Sequence, residues 1–255
     1  MPLNIVTVPC LADNYAYLVH DDATETTAVV DVPDVLPVLN ALRERGWRAS
    51  HILITHHHDD HIAGVEALAA ASGARVFGAK ADAHRLPPLD EALAGGDTIR
   101  IGMEEAQVIE VPGHTLGHIA FHFAQSRAVF TADSLMSCGC GRLFEGTPLQ
   151  MWSSLQTLAA LAGDTLVYSG HEYSQSNLRF ALAVDPENAD LQARAGRVAA
   201  LRAAGQPTVP VPLAEELATN PFLRADAPAL RQATHLPDAP ASEIFAALRA
   251  MKDRF

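Results

Sequence analysis

The sequence predicts an α/β body followed by a helical carboxy-terminal domain, and three observations carry that expectation. Short runs rich in β-branched and aromatic residues alternate with turns and a few helices over about the first 170 positions. Four of the twelve histidines fall within six consecutive positions directly after one such run. Beyond about residue 172 the strand signals nearly vanish and helical periodicity takes over.

Taken in order, Leu3 to Val8, Ala16 to Val19 and Thr27 to Val30 read as strands broken by Asp and Asn. Asp34 to Arg45 reads as a helix. Asp34 is its N-cap, Val35, Val38, Leu39 and Leu42 recur at helical spacing, and Gly46 closes it. Pro37 falls in the first turn, where a missing N–H breaks no helix bond. The apolar run His51 to Thr55 suits a buried strand, and Ile62 to Ala71 a small-residue helix ending at Gly73. Further strands are expected at Arg75 to Phe77, Thr98 to Ile101, Gln107 to Val111, Ile119 to Phe123, Ala128 to Thr131 and Leu166 to Tyr168. Pro148 to Leu161 is read as a helix with proline in its first turn. The tail carries helical patterns at Ser174 to Ala183, Asn188 to Ala204, Ala227 to Gln232 and Ser242 to Lys252, with the proline-rich stretch Pro207 to Pro212 between them. The chain is accordingly divided into residues 1–171 and 172–255.

The bulk properties narrow the function. With 49% hydrophobic and 19% charged residues, the chain has the composition of a soluble globular protein. Thirty acidic against eighteen basic residues give a formal charge of −12, which argues against nucleic acid as a partner. A small anion held by a few local cations is still compatible with it. Cys10, Cys138 and Cys140 are too few and too irregular for a disulfide framework, and the last two read as an inert loop pair. No basic-then-apolar leader and no uninterrupted apolar run of about eighteen residues is seen. The expectation is a cytoplasmic monomer.

The central signal is Thr55-His56-His57-His58-Asp59-Asp60-His61. His56 and His58 are two apart, so in an extended segment both imidazoles point to one side and can grip one divalent ion. Asp60 and His61 fall where the chain turns into a helix, within reach of a second ion. Three more positions repeat one pattern, an apolar strand, a small residue and then a ligand-type side chain: His114, Asp133 and His171. Gly113 and Gly170 are expected to turn the chain sharply there. Loops at strand ends are where an α/β scaffold gathers its ligands. Nitrogen and oxygen donors without thiolate suit a catalytic site for zinc, iron or manganese. His57 and Asp59, at the alternate positions, are expected to point elsewhere. His118 is expected to orient a ligand, and the other histidines to play structural roles.

These residues resemble the metallo-β-lactamase superfamily, and that resemblance implies an αββα sandwich with metals at one edge. Narrower motifs are similar to the hydroxyacylglutathione hydrolase (glyoxalase II) family: Cys138 to Gly146, Gly170-His171-Glu172-Tyr173, Asn177 to Ala181, Asn220 to Arg224, and Leu248 to Phe255. The resemblance implies one metal site at His56, His58 and His114, a second at Asp60, His61 and His171, and Asp133 bridging, with two divalent ions, zinc first and iron or manganese as alternatives. It also implies glutathione contacts at Arg142, His171, Glu172, Tyr173, Arg249 and Lys252. The implied reaction is cleavage of S-(2-hydroxyacyl)glutathione, chiefly S-D-lactoylglutathione, to D-lactate and glutathione in methylglyoxal detoxification. Its nucleophile is a hydroxide formed between the two ions, with Asp60 and Asp133 as catalytic residues. Phe144 stands where some relatives carry tyrosine, and Ala132 where glycine is usual before the bridging aspartate. The competing readings are a mononuclear iron persulfide dioxygenase on the same fold and a non-catalytic metal-binding protein.

Overall fold

The computed structural model describes residues 2–255. The chain forms two compact units: residues 1–110 with 115–132, and residues 111–114 with 133–255.

The first unit contains two sheets. Strands β1 (Asn4–Cys10), β2 (Asn14–Asp21) and β3 (Thr26–Val30) form an antiparallel meander. Helix α1 (Val35–Arg45) then carries the chain over the sheet to β4 (Ala49–Leu53), which pairs parallel with β3. The chain continues through α2 (Asp59–Ile62) and α3 (Val65–Ser72) to β5 (Arg75–Ala79) and β6 (Glu91–Leu93), both added in parallel. Parallel neighbours require such crossovers, because a two-residue turn cannot return the chain to the same end. The second set, β7 (Thr98–Ile101), β8 (Glu104–Glu110), β9 (Ile119–Phe123) and β10 (Ala128–Ala132), is antiparallel in the order β10-β9-β8-β7. The two sheets face each other, with the rings of Tyr17 on β2 and Phe130 on β10 only 5.4 Å apart. On the other side of the first sheet, Val38 and Leu42 of α1 and Val65 and Leu68 of α3 pack on Leu18, Val29 and Ile52.

The second unit is mostly helical. After the short hairpin β11 (Leu135–Met136) and β12 (Gly139–Cys140) come α4 (Pro148–Ala159) and β13 (Leu166–Ser169). Helices α5 (Ser174–Val184) and α6 (Ala189–Ala203), strand β14 (Val211–Pro212), then α7 (Leu213–Thr219), α8 (Pro228–Ala233) and α9 (Ala241–Asp253) complete it. Leu178 and Ala181 of α5 pack on Leu191 and Val198 of α6. A separate aromatic cluster joins Phe180, Phe222 and Phe245.

Local signals explain most boundaries. Asp34 caps α1 by accepting the Leu36 N–H at 3.0 Å, and Gly46 ends it at φ 69. Thr147 and Gln150 form a reciprocal capping box ahead of Pro148. One expectation needs correction: the single helix from Ile62 to Ala71 is two helices, the first beginning at Asp59. Gly64 lies at the break, its N–H donating to the Val32 carbonyl at 2.8 Å. A Cβ there would press on Val32 and the Val35 nitrogen, so this close approach requires glycine. Helix α7 and strands β6, β11, β12 and β14 were not expected, being short segments without clear periodicity.

Candidate metal centre

In the first unit, β3 and β4 run parallel with Val30 opposite Leu53, so their carboxyl ends present Asp31 and the histidine segment side by side. Asp31 is buried and holds the segment in place. Its Oδ1 accepts the Thr55 N–H at 2.9 Å, and its Oδ2 accepts the Thr55 hydroxyl at 2.8 Å. The same Oδ2 lies 2.9 Å from His61 Nδ1. A carboxylate only accepts, so Nδ1 carries the proton and His61 Nε2 keeps its lone pair for a cation. Thr55 Oγ1 in turn lies 3.0 Å from His56 Nδ1. Asp31, His56 and His61 each offer an atom within 4.8 Å of the others. Asp31 is nonetheless a poor ligand, because three donors already occupy its oxygens; it orients.

His56 Nε2 and His58 Nδ1 stand 3.1 Å apart, the arrangement of two imidazoles turned to one point. Asp60 Oδ2 lies 4.0 Å from His61 Nε2 and is steadied by Asn14 Nδ2 at 3.0 Å. Both Asp60 and His61 lie inside α2 rather than at a turn into a later helix. His57 points away as expected, with Nδ1 3.1 Å from Asp82 Oδ2, and Asp59 is exposed. His118 is fully buried and stacks on His56, ring centres 4.6 Å apart.

The second unit presents its own half. His114 Nε2 and His171 Nε2 lie 3.4 Å and 3.3 Å from one oxygen, Asp133 Oδ2. His114 Nδ1 donates to the Arg142 carbonyl at 2.8 Å, which again leaves Nε2 for a cation. Gly141 makes this packing possible, since a side chain there would collide with the Asp133 carbonyl oxygen and with His114 Nδ1. Gly113 turns at φ 153 against Met151, whereas Gly170 adopts no positive φ. Ala132 takes φ 40, a conformation that glycine accepts more readily. In both units, then, imidazoles with an anchored second nitrogen converge with carboxylate oxygens. That donor set fits divalent cations.

The cations of the tail gather in the same unit. Lys252 Nζ donates to Ser176 O at 3.0 Å and Oγ at 3.2 Å. Burial, then the charges of Arg249, Arg179 and Arg142, hold its ammonium below the ordinary range. Arg249 is buried. It donates to Cys140 O at 2.9 Å and pairs with Asp253 at 2.9 Å. Arg142 and Arg179 are exposed. Tyr173 is exposed and stacks on His171 with ring centres 4.6 Å apart. Glu172 lies between these two residues. Its carboxylate turns inward and accepts the Thr208 N–H at 2.8 Å and the hydroxyl at 2.7 Å.

Reasoning from sequence missed Asp31, which follows its strand directly, without the small residue that precedes the other ligand-type side chains. Arg179 was missed too, and nothing in its helical spacing marks it.

Residues 14–171 match the family model described as metallo-beta-lactamase superfamily, and residues 172–255 the model described as hydroxyacylglutathione hydrolase C-terminus. The hydroxyacylglutathione hydrolase of Cereibacter sphaeroides is 63% identical over 255 residues, covering all of both chains. That of Jannaschia sp. is 61% identical over 251 residues, 98% of each chain. Among solved structures, the BLEG-1 B3 metallo-beta-lactamase matches with a TM-score of 0.68 at 20% identity, over 87% of this chain and 100% of that one. ETHE1 from Myxococcus xanthus matches with a TM-score of 0.65 at 25% identity, over 99% and 98%. The fold is therefore that of a metallo-β-lactamase with a helical carboxy-terminal domain, in agreement with the expected class. Among the described residues no helix is long and apolar enough to cross a membrane.

Proposed function

Because the chain belongs to the hydroxyacylglutathione hydrolase family, we propose that its seven histidine and aspartate ligands hold two divalent cations and that residues 172–255 recognise the glutathione moiety. The chain is a thioester hydrolase of the glyoxalase II type. The proposed substrate is S-D-lactoylglutathione, yielding D-lactate and glutathione. His56, His58 and His114 would hold one cation and Asp60, His61 and His171 the other, with Asp133 available to both. Zinc, iron and manganese all accept this donor set. The observation that carries the reading is the convergence of two imidazole nitrogens on one Asp133 oxygen, at 3.4 Å and 3.3 Å.

When bound, such cations supply a water acidic enough to ionise near neutral pH and a Lewis acid for the thioester carbonyl. The chain's own residues do the rest. Asp133 and Asp60 contribute negative charge to the ligand set and accept hydrogen bonds from the attacking water. Arg142 and Lys252 offer positive charge to the carboxylates of glutathione, in a protein otherwise acidic, and the buried Arg249 steadies the Cys140 carbonyl beside them. Tyr173 offers its ring and hydroxyl beside His171, while Glu172 acts by positioning that segment. The thiolate of glutathione departs readily, a thiol being far more acidic than an alcohol.

Among the described residues, neither the cysteines nor the serine near the site serves as a covalent nucleophile. Burial pushes the Cys138 thiol up to about 12 and raises Cys140 as well, so neither ionises near neutral pH. Ser134 is buried with its hydroxyl directed at the Met151 sulfur, 4.0 Å away. Direct attack by water is the economical route.

The test is hydrolysis of S-D-lactoylglutathione with and without a chelator, with metal content measured on the same sample. Activity is expected to disappear with the metal and return on reloading. Full turnover by metal-free protein would refute the reading.

A further inference from the structure

The second unit buries an ion pair that the reaction does not use. Arg194 on α6 and Glu216 on α7 are about 1% and 0% exposed. A buried pair of this kind is weak evidence for stability, since desolvation consumes most of the attraction. Its connections give it another role.

Glu216 grips the β11–β12 hairpin. Its Oε2 accepts the Cys138 N–H at 2.9 Å and Asn220 Nδ2 at 2.9 Å, and it pairs with Arg194 Nη2. Asn220 also donates to Gly139 O at 2.9 Å, and Asn177 of α5 donates to Ser137 O at 3.0 Å. The hairpin needs this help. Its strands are two residues each, too short to hold by their own pairing, and Cys138 sits at φ 53 without being glycine. Directly beyond β12 lie Gly141 and Arg142, and the Cys140 carbonyl receives Arg249.

Arg194 leads the other way. Its Nη2 donates to Ser137 Oγ at 2.9 Å. Ser137 Oγ is 2.7 Å from Ser174 Oγ, and that hydroxyl is 2.5 Å from Thr208 Oγ1. Thr208 Oγ1 reaches Glu172 Oε1 at 2.7 Å. A guanidinium only donates and a carboxylate only accepts. Ser137 Oγ accepts from both Arg194 Nη2 and Ser174 Oγ, and at the far end Thr208 Oγ1 donates to Glu172. Buried polar groups connected in this way fix the segments they join.

We propose that Arg194 and Glu216 are positioning residues for the substrate surface, tying the His171–Tyr173 segment to the hairpin that carries Arg142 and anchors Arg249. This rests on the reading of those groups as the glutathione site. The pair then governs binding of the carboxylate-bearing thiol, not the chemistry at the thioester.

The experiment compares Glu216→Gln and Ser137→Ala with the unaltered holoenzyme on two substrates. One is S-D-lactoylglutathione; the other is a small lactoyl thioester of N-acetylcysteamine, which carries no carboxylate. Glu216→Gln turns an amide toward the donors that meet Glu216, and Ser137→Ala deletes the hydroxyl that joins Arg194 to Ser174. KM for the glutathione thioester is expected to rise about tenfold in Glu216→Gln and several-fold in Ser137→Ala, the size of a lost charge-assisted contact. Metal content, kcat and turnover of the small thioester stay as in the unaltered enzyme. Should Glu216→Gln not fold, Ser137→Ala alone decides. An unchanged KM, or a parallel loss on both substrates, overturns the proposal. If the unaltered enzyme fails to hydrolyse the glutathione thioester, the fault lies with the proposed substrate instead.

Discussion

Asp31 is the residue whose removal should be felt furthest from its own position. Asp31→Ala deletes three hydrogen bonds, to the Thr55 N–H at 2.9 Å, the Thr55 hydroxyl at 2.8 Å and His61 Nδ1 at 2.9 Å. The Thr55 amide and the His61 ring are fully buried, so water cannot replace the lost acceptor. Each of these two stranded donors costs about 1–3 kcal/mol, which predicts a loss of roughly 2–6 kcal/mol in unfolding free energy. Freed of its anchor, His61 also loses its fixed tautomer. Groups that orient a metal-ligating histidine are worth about 10–100-fold in metal affinity. Asp31 sits at φ 54, a conformation asparagine tolerates, so Asp31→Asn keeps the backbone and one acceptor and should lose less on both counts. Urea unfolding of the metal-free protein reads the first effect, and competition with a chelator of known affinity reads the second. A metal affinity unchanged in Asp31→Ala would refute the assignment of Asp31 as the group that orients His61.

Further outcomes follow from the same geometry. Lys252→Ala is expected to raise KM for the glutathione thioester more than it lowers kcat. In the unaltered enzyme KM should climb as pH passes the lowered Lys252 pKa, below 10.5, because the neutral amine no longer attracts a carboxylate; steady-state kinetics from pH 7 to 10 checks both. Cys10 and Cys138 ionise near 9.0 when unfolded, but burial lifts them to about 11 and about 12 in the fold. The folded state thus holds these protons more tightly, so their contribution to stability is intact below pH 9.0 and is lost as pH rises toward 12. Denaturation midpoints from pH 8 to 11 should fall, and less steeply in Cys138→Ala. Ala132→Gly relieves a left-handed alanine whose cost is about 1–2 kcal/mol, partly offset by the extra freedom of glycine when unfolded. Calorimetry should show a small rise in Tm, and a fall would mean that the φ of 40 costs nothing there.

Much of the fold was legible because its signals are local. The Asp34 cap and the Gly46 stop lie within a few residues of the helix they bound, and the strands at Thr98–Ile101 and Ile119–Phe123 came out at their expected limits. The break at Gly64 was not legible, since its cause is the Val32 carbonyl thirty-two positions earlier. The inward turn of Glu172 was equally hidden, because its partner Thr208 belongs to the proline-rich stretch between helices.

Residue identity and spacing by themselves determined which donors could bind a cation. Imidazoles two apart on an extended segment share a side whatever surrounds them, and a strand end followed by a small residue exposes the next side chain. Tertiary structure decided which nitrogen of each ring is offered and what steadies it. Asp31 reaches His61 only because β3 and β4 lie parallel and in register, and the Arg142 carbonyl reaches His114 only because Gly141 leaves it room. Such second contacts join residues distant in sequence, and a linear pattern holds no trace of a pairing made by packing.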